Sequence, residues 1–320
     1  MTKMKKVLVI GGGSGAAAVL ERLKDYALEI TSACTPFDNG GHSGELRLVD
    51  GVLPPGDSRR HIIARSREGG FLRKLLAHRF KSNGLQGKSL GNLMALAARD
   101  ECGGDDQAGL DHLAQAFGVV GRILYTTTDE AHLCAELSDG EILVGEEKID
   151  LRPHTDKRTI KRIFLDRKAY IQRDMRQAIT MADVIICAPG DTYGSVGANT
   201  LVEGFKEAMQ ETQAKLVNVT NIVTKANETF GFKASHFSRV LLSYIGRDQF
   251  DAVLCNTARI EERLLALYAA ENAHPVEVDV VELQQVTKKI VTGDFVQQSD
   301  IVRHHPVKLA KALMEVIHGD

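Results

Sequence analysis

Residues 5–15 read KKVLVIGGGSG, an unbroken apolar run that ends in five small residues, and few folds accept that combination. A run of Val, Leu and Ile without polar alternation marks a strand buried on both faces, as in a parallel sheet. Ser14 to Tyr26 then shows helical spacing through Ala18, Leu20 and Leu23. Gly11, Gly13 and Ala16 match G-x-G-x-x-A between that strand and that helix. Residues with little or no side chain permit the tight turn and let a phosphate approach backbone N–H groups, while the helix N-terminus adds partial positive charge. Gly11, Gly12, Gly13, Ser14 and Gly15 therefore read as a phosphate cradle.

The alternation continues along the chain. Glu29–Phe37, Arg122–Thr127, Asp183–Ala188, Ala214–Ile222 and Asp251–Asn256 supply further strands. Helical spacing runs through Phe71–Phe80, Ser89–Arg99, Leu110–Phe117, Ala169–Ala182, Asn199–Glu211, Ser235–Ile245, Ile260–Ala270 and His305–Ile317. Repeated βα units predict an α/β fold, a doubly wound, mostly parallel Rossmann-like sheet with helices on both faces. Between His132 and Ile149 two alternating runs flank Ser138-Asp139-Gly140, and Asp-Gly between strands predicts a β-hairpin. With a short strand at Lys161–Leu165 it makes a small extension over residues 132–165, expected to cap the sheet. The 320 residues read as one such unit without internal repeats. Asp38–Ser66, rich in Gly, Pro and charge and lacking a sustained period, is expected to be a long functional loop.

Composition narrows the function classes. Forty Lys and Arg against 42 Asp and Glu leave no net field to hold nucleic acid, so the expected partner is a small anionic molecule. The five cysteines form no CxxC pair and read as buried thiols of a reducing compartment. The apolar run after the basic start is too short for a signal sequence, and no stretch approaches the ~20 apolar residues of a membrane span. A cytoplasmic protein without membrane attachment is expected, and a homodimer is compatible with the sequence. Leu151–Arg176 carries nine Lys and Arg against three Asp, and reads as a solvated face rather than a phosphate patch.

Asp38 stands about 20 residues past the glycine turn, where a dinucleotide-binding chain places the carboxylate that holds the ribose hydroxyls. An NAD-dependent enzyme is thus one reading. Asn39-Gly40-Gly41-His42-Ser43-Gly44 argues against it, as a second glycine-rich loop where such a fold continues into a helix. Pro54-Pro55-Gly56-Asp57 makes a third polar loop, with Arg59 and Arg60 beside it. The three loops suggest one pocket, with Asn39, Gly40, Gly41, Ser43, Gly44 and Arg59 as ligand contacts. Asp38 and Asp57 are the candidate catalytic and metal-holding residues, since one or two carboxylates with phosphate oxygens suffice for Mg²⁺. The alternative is that Asp38 caps a turn and Asp57 pairs with an arginine. Arg59 offers a fork for phosphate or a plain ion pair. Gly84–Asn92 fails as a P-loop, because Ser82 stands where the motif needs glycine and no strand precedes it. Ser89 and Asn92 there either face the ligand or cap a helix. Pro189, Gly190, Asp191 and Tyr193 follow a buried strand, at the end where open α/β sheets bind ligands. No zinc spacing and no G-x-S-x-G occur, and His61, His132 and His236 read as structural.

Taken in order, these loops resemble the CofD-like superfamily, and more closely its YvcK branch, the gluconeogenesis-factor family. The resemblance spans nearly the whole chain. It rests on Gly11–Gly15, Asp38–Arg47, Pro54–Arg59, Leu90–Leu93, His132-Leu133, Ala188–Tyr193 and Gly231–His236. It implies a Rossmann-like core that binds a nucleotide at the first glycine turn. CofD-type members transfer a 2-phospholactyl group from a guanosine diphosphate donor to a deazaflavin hydroxyl, with Mg²⁺. YvcK-type members bind UDP-sugars and influence carbon metabolism and cell-wall synthesis. The loop at Asp38–Gly44 looks like the YvcK form, because CofD proteins carry a bulkier aromatic segment there. The family's usual second acidic residue is Asn39 here, its Gly-Pro-Gly-Ser loop is Ala188-Pro189-Gly190-Asp191, and Lys88 replaces a common histidine. Asn39 removes one carboxylate and Asp191 adds one, so a metal site, if present, is expected to be rearranged rather than lost.

Overall fold

The computed structural model describes residues 3–67, 70–82 and 84–319. Its strands in chain order are β1 (Lys5–Ile10), β2 (Leu28–Cys34), β3 (Arg122–Tyr125), β4 (Leu133–Leu137), β5 (Ile142–Val144), β6 (Ile160–Leu165), β7 (Val184–Cys187), β8 (Lys215–Val219), β9 (Ala252–Asn256), β10 (Ile290–Gly293), β11 (Val296–Gln298) and β12 (Val302–His304). Seven of them pair in parallel in the order β10-β9-β8-β7-β1-β2-β3. The chain builds outward from β1 to β3, then returns to the other side of β1 for β7 and continues to β10. The topological switch point therefore lies between β1 and β7, where a sheet of this kind opens a crevice at its carboxyl ends.

Thirteen α-helices are described: α1 (Gly13–Leu23), α2 (Gly41–Asp50), α3 (Gly56–Arg65), α4 (Phe71–Ala77), α5 (Leu90–Glu101), α6 (Asp106–Ala116), α7 (Glu146–Asp150), α8 (Arg173–Met181), α9 (Phe205–Glu211), α10 (Ala234–Ile245), α11 (Glu262–Ala270), α12 (Val280–Leu283) and α13 (Pro306–His318). The unbroken apolar character of β1 is explained by what covers it. Val7 and Val9 pack with Val19 and Leu20 of α1 and Leu309 and Leu313 of α13, whereas Leu8 and Ile10 enter the core that holds Met175 and Ile179 of α8. Among the described residues no helix is long and apolar enough to cross a membrane. Cys34, Cys134, Cys187 and Cys255 are buried free thiols, and Cys102 is partly exposed.

Two sequence expectations need correction. The long loop expected over 38–66 contains two helices, α2 and α3. Each begins with a glycine-rich or proline-rich stretch and wraps a mixture of polar and apolar residues, so no apolar stripe announces it. The expected Asn199–Glu211 helix splits into a 3₁₀ turn at Ala198–Leu201 and the short α9, and a π-helical turn at Thr192–Gly197 precedes them. The hairpin β4–β5 is present and joins β6 in a separate antiparallel sheet, whose Leu133, Ala135, Leu137, Ile160 and Ile163 share the apolar core of Leu8 and Ile10. The basic stretch 151–176 is a solvated face, as expected: Arg158 pairs with Asp139, Glu141 and Asp156, and Glu136 takes both Lys161 and Arg162.

Candidate functional site

Two adjoining cavities open at the carboxyl ends of the central strands, and Gly13, Asp191 and Ser195 line both. The larger, about 370 Å³, is bounded by the starts of three helices, at Gly13 of α1, Gly40 and Gly41 of α2, and Gly56 and Asp57 of α3. Arg59, Arg60 and Arg79 give it cationic lining, and Asp38, Glu146, Asp150 and Asp191 give it acidic lining. The second, about 350 Å³, lies along Gly12–Gly15 and is completed by Gly190, Asn221, Thr224, Lys225 and Tyr268. Their sizes suit a nucleotide-sized molecule.

The glycine turn is shaped by close approaches. A Cβ on Gly12 would lie 1.9 Å from Asp57 Oδ2, and one on Gly15 would lie 1.9 Å from the Pro189 carbonyl oxygen. The turn is thereby held between α3 and the loop after β7. Asp57 Oδ1 accepts the Gly13 N–H at 2.8 Å and an Arg60 N–H at 3.0 Å. A carboxylate already sits where an anion would meet the first turn of α1. Asn221 fixes the other side, accepting from Gly190 N–H at 3.0 Å and donating to its carbonyl at 2.8 Å.

Asp38 Oδ1 accepts the Gly40 N–H at 2.9 Å, the turn-capping arrangement that stood as the alternative to a metal ligand. Burial raises its pKa, with the Asp57 charge adding to the effect. The three carboxylates that converge as a possible cation site are Glu146, Asp150 and Asp191, whose ligand atoms lie within 4.8 Å of one another. Burial first, then the charges of Asp38, Asp150, Asp191 and Glu228, push Glu146 up to about 9. Lys225 supplies the counter-charge, donating to Asp191 at 3.2 Å, to Glu228 at 3.1 Å and to Asp150. Burial drives Glu228 up to about 8 and raises Asp191 as well. An oxygen-rich donor set with hard carboxylates suits Mg²⁺ better than a soft metal.

The other sequence candidates divide. Gly40, Gly41, Ser43, Arg59 and Asp191 line the larger cavity, Gly12, Ser14, Gly15 and Gly190 the second, and Pro189 only a small side pocket. Asn39 lines neither; its Oδ1 accepts the Glu147 N–H at 2.9 Å and so anchors α7. Gly44 is a packing residue, with the Asn39 carbonyl oxygen 1.9 Å from any Cβ. Asn92 lies behind the site, accepting from Arg59 Nε at 2.9 Å and donating to Ser43 Oγ at 3.3 Å, while Ser89 caps α5. Gly11 supports the turn from β1, and Tyr193 is turned into the core at 3% exposure. Glu146, Asp150, Lys225, Asn221 and His42 belong to the site without having been singled out in the sequence. Glu146 and Asp150 sit just after a hairpin, where acidic residues normally signal only a solvated turn.

Comparisons with known proteins bear on the family and the fold. The family described as 2-phospho-L-lactate transferase CofD matches residues 7–296. A gluconeogenesis factor of Halalkalibacterium halodurans is 37% identical over 98% of this chain and 97% of its own length. That of Bacillus subtilis is 32% identical over 99% and 98%. The crystal structure of a UPF0052 family member from Bacillus halodurans superposes with a TM-score of 0.92 at 34% identity, covering 98% of this chain and all of that one. On sequence and structure alike, this chain belongs to the CofD family, in the branch of the gluconeogenesis factors.

Proposed function

We propose that this chain binds a nucleotide or a nucleotide sugar of the UDP-sugar type across the two cavities, and through it regulates carbon metabolism or cell-wall synthesis. The observation that carries the reading is the convergence of three helix N-termini, those of α1, α2 and α3, on one cavity at the switch point between β1 and β7. Helix starts favour phosphate through N–H groups and partial charge, and with the Gly13 N–H taken by Asp57 and the Gly40 N–H by Asp38, the remaining first-turn N–H groups are the ones offered to it. The name of the relatives, gluconeogenesis factor, supports the metabolic setting.

Differential scanning with UDP-N-acetylglucosamine, GDP and NADH, each with and without Mg²⁺, tests this. A ligand at 100-fold its Kd stabilises by about 2.7 kcal/mol. A shift with a uridine or guanosine nucleotide is expected, and absence of any such shift defeats the proposal. A shift with NADH alone assigns the pocket to a dinucleotide instead.

The acid cluster favours a second reading, a CofD-like transferase that moves a phosphoryl-linked group from a nucleoside diphosphate donor to an acceptor hydroxyl. Glu146, Asp150 and Asp191 would hold Mg²⁺, whose charge offsets that of the donor phosphates. Asp57, bonded to Gly13 and Arg60, would then position the turn, while Asp38 lines the same cavity. Release of nucleoside monophosphate from a labelled donor supports this reading if Asp150→Asn abolishes it; turnover indifferent to that change removes the assignment.

A further inference from the structure

Arg59 and His42 line the larger cavity from two different helices, α3 and α2, and both are almost wholly enclosed, at 7% and 8% exposure. Arg59 donates through Nε to Asn92 Oδ1 at 2.9 Å and through Nη1 to the Leu76 carbonyl at 3.4 Å. Both acceptors are neutral, and among the described residues no carboxylate lies within ion-pair distance of the guanidinium. Its Nη2 has no protein partner. Burial and the neighbouring charges of Arg60 and Arg79 push the group down to about 10, with Asp57 as the only acid that opposes them. A buried charge left without a counter-charge is costly, so such a group is expected where an anion completes it.

His42 adds the second half. The Ser89 N–H at the start of α5 donates to its Nδ1 at 3.0 Å, which makes Nδ1 the acceptor and places the ring proton on Nε2. No protein acceptor among the described residues meets that Nε2–H. Burial, then the charges of Lys88, Arg79 and Arg59, hold the ring below its ordinary pKa against the weaker pull of Glu45, so it remains neutral at neutral pH. The cavity thus presents a cationic N–H and a neutral N–H, with neither matched by a protein acceptor. An acceptor-rich group satisfies both.

We infer that Arg59 and His42 form an oxyanion subsite in the larger cavity, which takes a phosphoryl or carboxylate group of the bound molecule with His42 as a tautomer-fixed Nε2–H donor. The inference rests on reading the cavity as a ligand site and goes beyond it. It places an anion away from Gly13, whose N–H Asp57 already occupies, and it predicts a ligand with an acidic group for this wall.

The test is nuclear magnetic resonance on the full chain labelled with ¹⁵N-histidine in a buffer free of phosphate and carboxylate. His42 is expected in the Nε2–H form, and its ring signals are expected to move on adding inorganic phosphate or, in a separate arm, acetate. The stronger responder identifies the group. His42→Asn keeps an acceptor for Ser89 but lacks the Nε2–H, and Arg59→Gln lacks the charge. Each is expected to weaken the anion response, followed at the Gly41 amide of uniformly ¹⁵N-labelled protein, by about tenfold. A ring protonated on Nδ1, a ring indifferent to both anions, or wild-type affinity in both variants overturns the inference. Nucleotide titration separates the two claims. Anion binding without nucleotide binding defeats the proposed function alone, and nucleotide binding without any anion response at His42 defeats the subsite alone.

Discussion

Gly15 is tolerable only as glycine, since the Pro189 carbonyl oxygen occupies the space of a Cβ. Backbone is the obstacle, so no side-chain rotation relieves it. Gly15→Ala is expected to lower stability by at least ~2 kcal/mol, in the range of overpacking strain, or to displace the 189–191 loop. Urea unfolding measures the loss, and a variant as stable as wild type refutes the packing. His304 tests burial in a different way. Its ring is enclosed beside the Thr220 carbonyl, with Nε2 at 3.2 Å, and burial lowers its pKa to about 4. The unfolded imidazole titrates near 6.5, so the unfolded chain binds the proton more readily between those values. The stability His304 contributes is therefore present above about pH 6.5 and lost as pH falls through about 4, by at most ~3 kcal/mol. His304→Gln is expected to flatten the decline of Tm with acid, and only in part, because buried His61 is lowered to about 4 as well. An unchanged acid slope counts against the assignment.

At the level of elements, strands and surface helices were readable from sequence because their apolar periods reflect what they pack against. Val7 to Ile10 announces a strand covered on both faces, and it is one. The same logic hid α2 and α3. His42, Ser43, Asp57 and Arg59 are buried polar residues that line the site, and Arg47, His61 and Arg65 are buried polar residues bonded to carbonyls or to Ser32 elsewhere, so the sequence over 38–66 reads as loop. The glycines of the three motifs located the crevice, but the acids of α7 carried no spacing signal, because that five-residue helix is placed by tertiary contacts. One of those contacts is testable. Asn39 Oδ1 holds the Glu147 N–H, so Asn39→Ala is expected to free α7 and weaken any Mg²⁺-dependent ligand stabilisation by about 1 kcal/mol, the worth of one hydrogen bond. Asn39→Asp keeps the acceptor and is expected to retain the effect. Calorimetric titration with and without Mg²⁺ distinguishes them, and equal behaviour of Asn39→Ala and wild type rejects the role.

On the scale of the molecule, the site is assembled from parts of the chain that fold against one another at long range. The glycine turn comes from the sheet, Glu146 and Asp150 from the antiparallel extension, and Lys225 from the segment after β8. The extension shares the core of the sheet through Leu133, Ala135, Leu137, Ile149, Ile160 and Ile163, and polar contacts add to this. The Ile163 N–H donates to Tyr244 Oη at 2.8 Å, and Asn227 Nδ2 donates to the Asp150 and Arg152 carbonyls at 2.7 and 2.9 Å. A ligand that bridges the glycine turn and the acid cluster would therefore couple the extension to the sheet, adding its binding free energy to every opening that separates them. Hydrogen exchange read by mass spectrometry is expected to slow by roughly tenfold in β5 and α7 on binding a nucleotide with Mg²⁺, for about 1.4 kcal/mol of added coupling. Exchange in α13, which packs on α1 away from both cavities, is expected to be unaffected beyond any global stabilisation. Protection confined to the glycine turn would mean that the acids of α7 take no part in binding. Protection of α7 lost in Asp150→Asn but kept at the turn would tie the effect to the cation site, because that substitution leaves the turn intact and removes the carboxylate that reaches from the extension.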